Sequence, residues 1–373
     1  MDATAPQARR FPLVARPRPA CTPLTQRVAD LRRRAAAAAH ENDPAAATAV
    51  FNLAALLASD CGRPDLAHQW STRLARAALT HPPQDFQAAS HSLEPIINLA
   101  RLRTRAGDGI GAWAILEELY RAVTSRTDTT VAGITVPASR LAADPTEHRE
   151  LRRWLWAVLL SSGAHALAVT GRWDDAYRRL DQHHGIGRRM LDGRQIAVIA
   201  HTTAGRHGQA STLLRDTEPG EPWERAVTAC LTLLCQRTTT SIERNHAVHA
   251  YQALSPAEAG LAVFHTRLGL SLVDALGGIH QPAAHPIATG LIERATGDGY
   301  AARDLLAHAG CRSILTPRQV EQFTDCVSTC GLDAGVVTDP LLAELAGALE
   351  IAARLLGRTP TASAAPRAPQ PDG

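Results

Sequence analysis

Two stretches of the chain carry the same local pattern, and the distance between them limits what the chain can fold into. Residues 170–176 read Thr-Gly-Arg-Trp-Asp-Asp-Ala, and residues 204–210 read Ala-Gly-Arg-His-Gly-Gln-Ala. In each stretch a glycine ends one helix-like segment, and an alanine follows five residues later inside the next one. The two glycines lie 34 positions apart, which is the period of a repeat made of two antiparallel helices. This spacing predicts a helical-repeat architecture.

The glycine–alanine offset of five recurs outside these two stretches. It is found at Gly62 and Ala67, Gly107 and Ala112, and Gly297 and Ala302, with a looser form at Asn42 and Ala47. A tight turn between antiparallel helices needs a residue that reaches positive φ, and the crossing of the two helices needs a small side chain. We therefore expect these glycines in left-handed turns and these alanines between helices. The intervals between the turns are irregular, so some units must be lengthened, shortened or degenerate.

The composition agrees with helices that pack closely against each other. Of the 373 residues, 45% are hydrophobic but only 4% are aromatic, and the abundant alanine favours helices over strands. Apolar residues recur at helical spacing, which predicts helical repeats over 24–223, followed by degenerate helical repeats and a C-terminal cap over 224–357. The proline-rich ends, 1–23 and 358–373, lack such a pattern, so we expect a disordered N-terminal arm and a disordered tail.

With Gly171 taken as the turn, the residues around it resemble the consensus of the tetratricopeptide repeat. The apolar and small positions of the two helices fall on Leu160, Ala164, Leu167, Trp173, Ala176 and Leu180. The match is incomplete, because Gly163, His183 and Arg188 replace a larger apolar residue, a small residue and a closing proline. The resemblance covers residues 25–225, and the chain also resembles actinobacterial helical-repeat proteins of unassigned function. It implies an all-α, right-handed α-solenoid of antiparallel helix pairs with a concave groove.

One interval between turns contains an insertion. The 64 residues from Gly107 to Gly171 are one repeat plus about thirty residues. The surplus lies at 125–150, where β-branched residues flank an Ala-Gly pair and predict a small β-hairpin near 129–137. Insertions of this length occur at the binding faces of repeat proteins, and they also occur as decorative loops.

One set of polar side chains faces the concave groove if the turns at Gly107, Gly171 and Gly205 define the repeat frame. These residues are Asn52, Glu94, Asn98, Arg101, Ser161, His165 and Gln195. Their donors and acceptors suit the capture of an extended peptide backbone or a terminal carboxylate, although a solvated face has the same composition. They predict a non-catalytic protein, regulatory or accessory, that binds a protein or peptide partner.

The alternative is an enzyme or biosynthetic accessory protein with a small-molecule pocket between the repeats and the insertion 125–150. The chain contains no nucleophile elbow, phosphate-binding loop or paired-carboxylate signature, so we predict no catalytic residue and no cofactor. The cysteine spacings at 230 and 235, and at 326 and 330, place each pair on one face of a helix rather than around zinc. We therefore expect buried thiols and no metal site.

Charge and targeting signals limit the partner and the compartment. A nucleic-acid-linked regulator ranks last, because the formal net charge is only +3 and no DNA-reading helix pair is recognisable. The seven cysteines form no disulfide framework, no export signal is recognisable, and no apolar run approaches 18 residues. We therefore expect a cytoplasmic protein without a membrane span. The sequence does not determine the oligomeric state.

Overall fold

A computed structural model describes residues 2–80, 82–83, 85–236, 238–254 and 260–357, which are mostly helical with one small sheet. The elements in chain order are α1 (Pro6–Arg9), α2 (Leu24–Glu41), α3 (Pro44–Asp60), α4 (Pro64–Leu79), α5 (Phe86–Arg105), α6 (Gly109–Ser125), β1 (Thr129–Val131), β2 (Ile134–Val136), α7 (Pro145–Val158), α8 (Ala164–Val169), α9 (Trp173–Gln182), α10 (Asp192–Thr203), α11 (His207–Arg215), α12 (Pro222–Cys235), α13 (Ser241–Gln252), α14 (Ala262–Ala275), α15 (His285–Arg294), α16 (Gly299–Ala307), α17 (Ala309–Ile314), α18 (Pro317–Thr329) and α19 (Asp339–Leu356). A π-helical turn, Leu159–Gly163, joins α7 to α8, and a 3₁₀ turn, Ala295–Gly297, follows α15. The tail predicted to be disordered, 358–373, lies outside the described residues.

The hairpin predicted near 129–137 is present. Strands β1 and β2 pair antiparallel, with Val131 opposite Ile134. The turn residues between them, Ala132 and Gly133, have φ of 51° and 75°, as a two-residue type I′ turn requires. Val131 and Ile134 are buried, because β1 packs on α6 and β2 packs on α4. The hairpin of the insertion therefore packs on α4 and α6 and contributes to the same core.

The glycine turns are confirmed at four of the five predicted positions. The four share a left-handed conformation with φ between 72° and 80°, and they are Gly62, Gly107, Gly171 and Gly205. The alanines five residues after each turn are buried, so methyl groups do stand where neighbouring helices meet. Asn42 reaches a φ of 53° and ends α2 in the same way. Gly297 is the exception, because α15 continues into a 3₁₀ turn there and no positive φ is needed.

Helices that follow each other in the chain pack side by side, and the last helix returns to the first long ones. Each helix from α2 to α6 packs against the next, the same holds from α8 to α14, and α19 packs against α2 and α3. The loop before α19 also binds the end of α3, since Asp333 N donates to Asp60 O at 2.7 Å and Gly335 N donates to Cys61 O at 2.8 Å. The predicted C-terminal cap is thus a closing element, because the apolar stripe of α19 buries against the alanine-rich faces of α2 and α3.

The hydrophobic core does not divide at the boundary predicted at 223/224. A large core runs without a break through both predicted domains, and Leu214 and Val227 on either side of the boundary belong to it. A second core is formed by α2, α3, α4 and α19, which are distant in sequence. The loss of the repeat pattern after residue 223 therefore does not interrupt the packing, since α11 packs against α12 across this position.

Residues 2–23, predicted as a disordered arm, are bound across the molecule, and we call them the N-terminal strap. Its Phe11 is fully buried and Leu13 is 4% exposed. Trp173 Nε1 at the start of α9 donates to Ala3 O at 2.9 Å, and Arg10 pairs with Asp274 of α14 at 2.6 Å. The prediction of disorder was wrong because the strap has no helical period, yet its few apolar side chains fill pockets between distant helices.

Candidate functional site

Four of the predicted groove residues, on α3 and α5, form one hydrogen-bonded row. Asn52 donates from Nδ2 to Glu94 Oε2 at 3.0 Å, and its Oδ1 accepts from Asn98 Nδ2 at 2.9 Å. Arg101 Nη1 donates to Asn98 Oδ1 at 2.8 Å. The structure therefore brings these four residues together, but their polar atoms largely serve each other.

Two further groove residues use their side-chain hydrogen bonds within the chain. Ser161 Oγ donates to the carbonyl oxygen of Ala157 in its own helical segment at 2.8 Å. Gln195 is fully buried, and its amide holds the strap at Leu13, with Oε1 accepting from Leu13 N and Nε2 donating to Leu13 O, both at 2.7 Å. The Gln195 amide does capture an extended backbone, but that backbone is the strap, so Gln195 does not face an open groove.

The seventh groove residue, His165, lines a cavity of about 900 Å³. The walls come from the turn between α3 and α4, the end of α5, α8, α14, α16 and the strap. The charged residues on these walls are six arginines, Arg9, Arg10, Arg18, Arg105, Arg267 and Arg303, and three aspartates, Asp60, Asp304 and Asp333. We call this space the arginine cavity.

Asp60, at the end of α3, is a carboxylate that forms ion pairs with three arginines. It is 5% exposed, and its Oδ2 accepts from Arg27 Nη2 at 2.7 Å and from the phenol of Tyr300. Its Oδ1 lies 3.3 Å from Arg105 Nη1 and 3.9 Å from Arg18 Nη2. One buried negative charge therefore serves three guanidinium groups, and this leaves an excess of positive charge beside the cavity.

The other cavity arginines differ in how well they are neutralised. Arg267 pairs with Asp304 at 2.8 Å, and Arg303 pairs with the exposed Asp333 at 3.2 Å. Arg9 is exposed and forms no ion pair with any residue that the structure describes. Because the arginines outnumber the carboxylates on the walls, guanidinium donors remain available to a ligand.

The titration of His165 reports the same positive environment. Its pKa is lowered to about 4, first by burial and then by the charges of Arg267 and Arg16. The pKa of Arg101 is also lowered, by burial and by Arg16 and Arg105, against the opposing effect of Glu94. His165 is therefore neutral near pH 7 mainly because it is buried, and the charges of Arg267 and Arg16 that add to this effect also attract anions.

The arginine cavity suits recognition of clustered negative charge. Guanidinium groups donate in a planar fork that matches phosphate and carboxylate oxygens. No set of three or more histidine, cysteine, aspartate or glutamate side chains suited to a metal ion occurs within the described ranges. The side chains that line the cavity therefore suit the binding of an anion.

Of the four cysteines predicted to be buried thiols, three are buried and Cys326 is half-buried. Cys230 and Cys235 are buried and free, and burial raises the pKa of Cys235 to about 11. Cys326 is half-buried and Cys330 is buried. All four lie outside the lining of the arginine cavity.

Sequence reasoning found only His165 among the residues that line the cavity. The arginines escaped it because they come from three helices, α5, α14 and α16, and from the strap, separated by up to 294 positions, and each looks alone like an ordinary surface arginine. The Arg9-Arg10 pair beside a buried Phe11 was the one local signal. The insertion 125–150, where the alternative hypothesis placed a pocket, contributes no residue to the cavity walls.

No family model, no curated protein and no solved structure matches this chain. Among the helices of the described residues, none combines the length and the apolar character needed to cross a membrane.

Proposed function

We propose that this chain is a non-catalytic, tetratricopeptide-like helical-repeat protein that binds a multiply charged anion in the arginine cavity. The observation that carries the proposal is the set of six arginines around one space of about 900 Å³. The solenoid-like order of its helices, an accessory or regulatory role and a cytoplasmic location are parts of the same proposal.

The size and charge of the space favour a small molecule as the ligand. A volume of about 900 Å³ falls in the range of sites for small molecules and cofactors. Arg9 and Arg303 are the arginines most available to a ligand. Arg9 has no ion-pair partner among the described residues, and Arg303 is paired only with the exposed carboxylate of Asp333. Phosphate and carboxylate are the chemical groups that would be recognised.

Thermal unfolding in the presence of simple anions tests the proposal. Pyrophosphate and tripolyphosphate represent phosphate chemistry, and citrate represents carboxylate chemistry. At a hundredfold excess over Kd, a ligand raises the unfolding midpoint of a chain of this size by about 3 °C. Sodium chloride at matched ionic strength should give a smaller shift. The proposal is wrong if all three anions behave like sodium chloride.

Three arginine variants locate the binding. Arg9→Gln and Arg303→Gln should each weaken anion binding about fivefold to tenfold by calorimetry, because each removes a charge-assisted contact. Arg215→Gln is the matched control, since Arg215 is 71% exposed on α11 and pairs only with Asp216 among the described residues. Equal losses in all three variants would mean that the anions bind the surface without a site.

A protein or peptide partner is the second candidate, and one observation favours it. The side-chain amide of Gln195 hydrogen-bonds both the backbone N–H and the backbone carbonyl oxygen of Leu13 in the strap. Extended peptides are bound through main-chain hydrogen bonds of this kind. A partner peptide would have to displace the strap before it reached this amide. A synthetic peptide of residues 8–18 tests this candidate, because it should bind the full-length protein if the strap exchanges.

A further inference from the structure

The arginine cavity is incomplete without the N-terminal strap. Three of its six arginines, Arg9, Arg10 and Arg18, belong to the strap, and the other three come from the helical body. Pro6 of the strap also lines the cavity. Undocking the strap would therefore remove one wall and half of the arginines from the site.

The strap is fastened at separate points rather than by helix packing. Its one regular element, α1, is only four residues long. Gln195 binds Leu13, Arg16 pairs with Asp192 at 2.6 Å, and Arg18 N donates to the carbonyl oxygen of Gly260 at 2.9 Å. Phe11 is also fully buried between the helices, so release of the strap requires the loss of these hydrogen bonds and ion pairs together with exposure of that side chain.

Docking of the strap brings additional positive charge to the cavity. When the strap is docked, Arg16 and Arg105 lower the pKa of Arg101, and Arg16 and Arg267 lower the pKa of His165. Arg18 comes within 3.9 Å of an Asp60 that already serves Arg27 and Arg105. An anion in the cavity can contact the three strap arginines only while the strap is docked, so it binds the two states of the strap unequally.

We propose that the N-terminal strap is a clamp coupled to the ligand: an anion in the arginine cavity holds the strap docked, and release of the strap opens the site. This inference rests on the proposed anion binding. Gln195 then acts as a positioning residue, because it is buried, does not line the cavity, and holds the strap between its cavity-lining arginines.

Hydrogen exchange on the full-length protein provides the test. In the unsubstituted protein, saturating tripolyphosphate should slow amide exchange over residues 8–18 by about tenfold or more, with little change in α2–α4. Gln195→Ala removes both hydrogen bonds to Leu13 and should raise exchange over the same residues. Its affinity for tripolyphosphate should fall by about tenfold, although Gln195 does not touch the cavity.

A second variant guards against a folding defect, because Gln195 also donates to Met190 O at 3.1 Å within the body. Trp173→Phe keeps an aromatic ring in place while removing the donor to Ala3 O, so it loosens the far end of the strap. It should weaken tripolyphosphate binding by a smaller factor, with helical circular dichroism unchanged in both variants.

The results distinguish a failure of the proposed clamp from a failure of the proposed anion site. If the unsubstituted protein binds none of the three anions, the proposed function fails. If it binds tripolyphosphate without slowing exchange in the strap, the clamp is overturned and the site stands. The clamp is also overturned if Gln195→Ala raises exchange in the strap at unchanged affinity, or if neither variant alters that exchange.

Discussion

Replacing Asp60 by asparagine should make the protein less stable and the arginine cavity a better binder of anions. The side chain keeps its shape, and the carbonyl oxygen of residue 60 still accepts from Asp333 N at 2.7 Å. What disappears is the negative charge between Arg27, Arg105 and Tyr300. Asp60 joins α3 to α2, α5 and α16, so the substitution removes ion pairs and hydrogen bonds between helices that are distant in sequence.

The magnitude follows from the burial of these partners. The Arg27 side chain is 13% exposed and loses its carboxylate, and breaking a buried pair by removing one partner costs about 3–5 kcal/mol of unfolding free energy. For a chain of 373 residues that unfolds as one unit, about 4 kcal/mol corresponds to a midpoint about 5 °C lower. Tyr300 supplies a second readout, because burial and then the Asp60 charge raise its pKa to about 12. In the variant this pKa should fall, because the Asp60 charge that helps to raise it is gone.

Calorimetric melting and absorbance titration of tyrosine measure these two effects. Tyr300→Phe identifies the contribution of Tyr300 to the titration. Asp65→Asn is the control for charge, because Asp65 is exposed and bound to Arg63 at the surface, and its loss should leave the midpoint unchanged. Tripolyphosphate should bind Asp60→Asn more tightly than the unsubstituted protein, since the cavity gains net positive charge.

Two results would refute this reasoning. A midpoint within about 1 °C of the unsubstituted protein would mean that Asp60 does not stabilise the closure of the chain. Weaker binding of tripolyphosphate, at a temperature where the variant is folded, would mean that Asp60 shapes the site rather than opposing the ligand.

Two further predictions concern the turns and the cavity histidine. Gly107→Ala should lower the free energy of unfolding in urea by about 1–2 kcal/mol, because φ is 80° and an added Cβ meets no atom within 4 Å, so the strain is purely conformational. Gly208→Ala in α11 should instead raise it by up to about 1 kcal/mol, and equal effects would contradict the assignment of the turn. His165 has a pKa of about 4 when folded and about 6.5 when unfolded, so it contributes full stability above pH 6.5 and loses it as the pH falls towards 4. That loss is on the order of 3 kcal/mol, and an identical pH profile of stability in His165→Gln would contradict it.

Local chemistry determined the parts of the fold that the sequence predicted. Gly107 and Gly171 end helices because only a residue tolerant of positive φ can make those turns, and Ala112 and Ala176 follow because the next helix starts at a fixed distance. The hairpin was predictable for the same reason, since its turn type needs residues such as Gly133 at positive φ. Such rules act within a few residues, so they survive without knowledge of the rest of the chain.

Tertiary structure alone decided the closure of the chain, the place of the strap and the arginine cavity. Leu13 meets Gln195 across 182 positions, and Tyr300 meets Asp60 across 240. No local period encodes such pairs, because Phe11 and Leu13 lie in an extended segment that gains its burial only after the helices have formed its pockets. An arginine has the same appearance in the sequence whether it faces bulk water or five others around one space, and only the folded chain distinguishes the two.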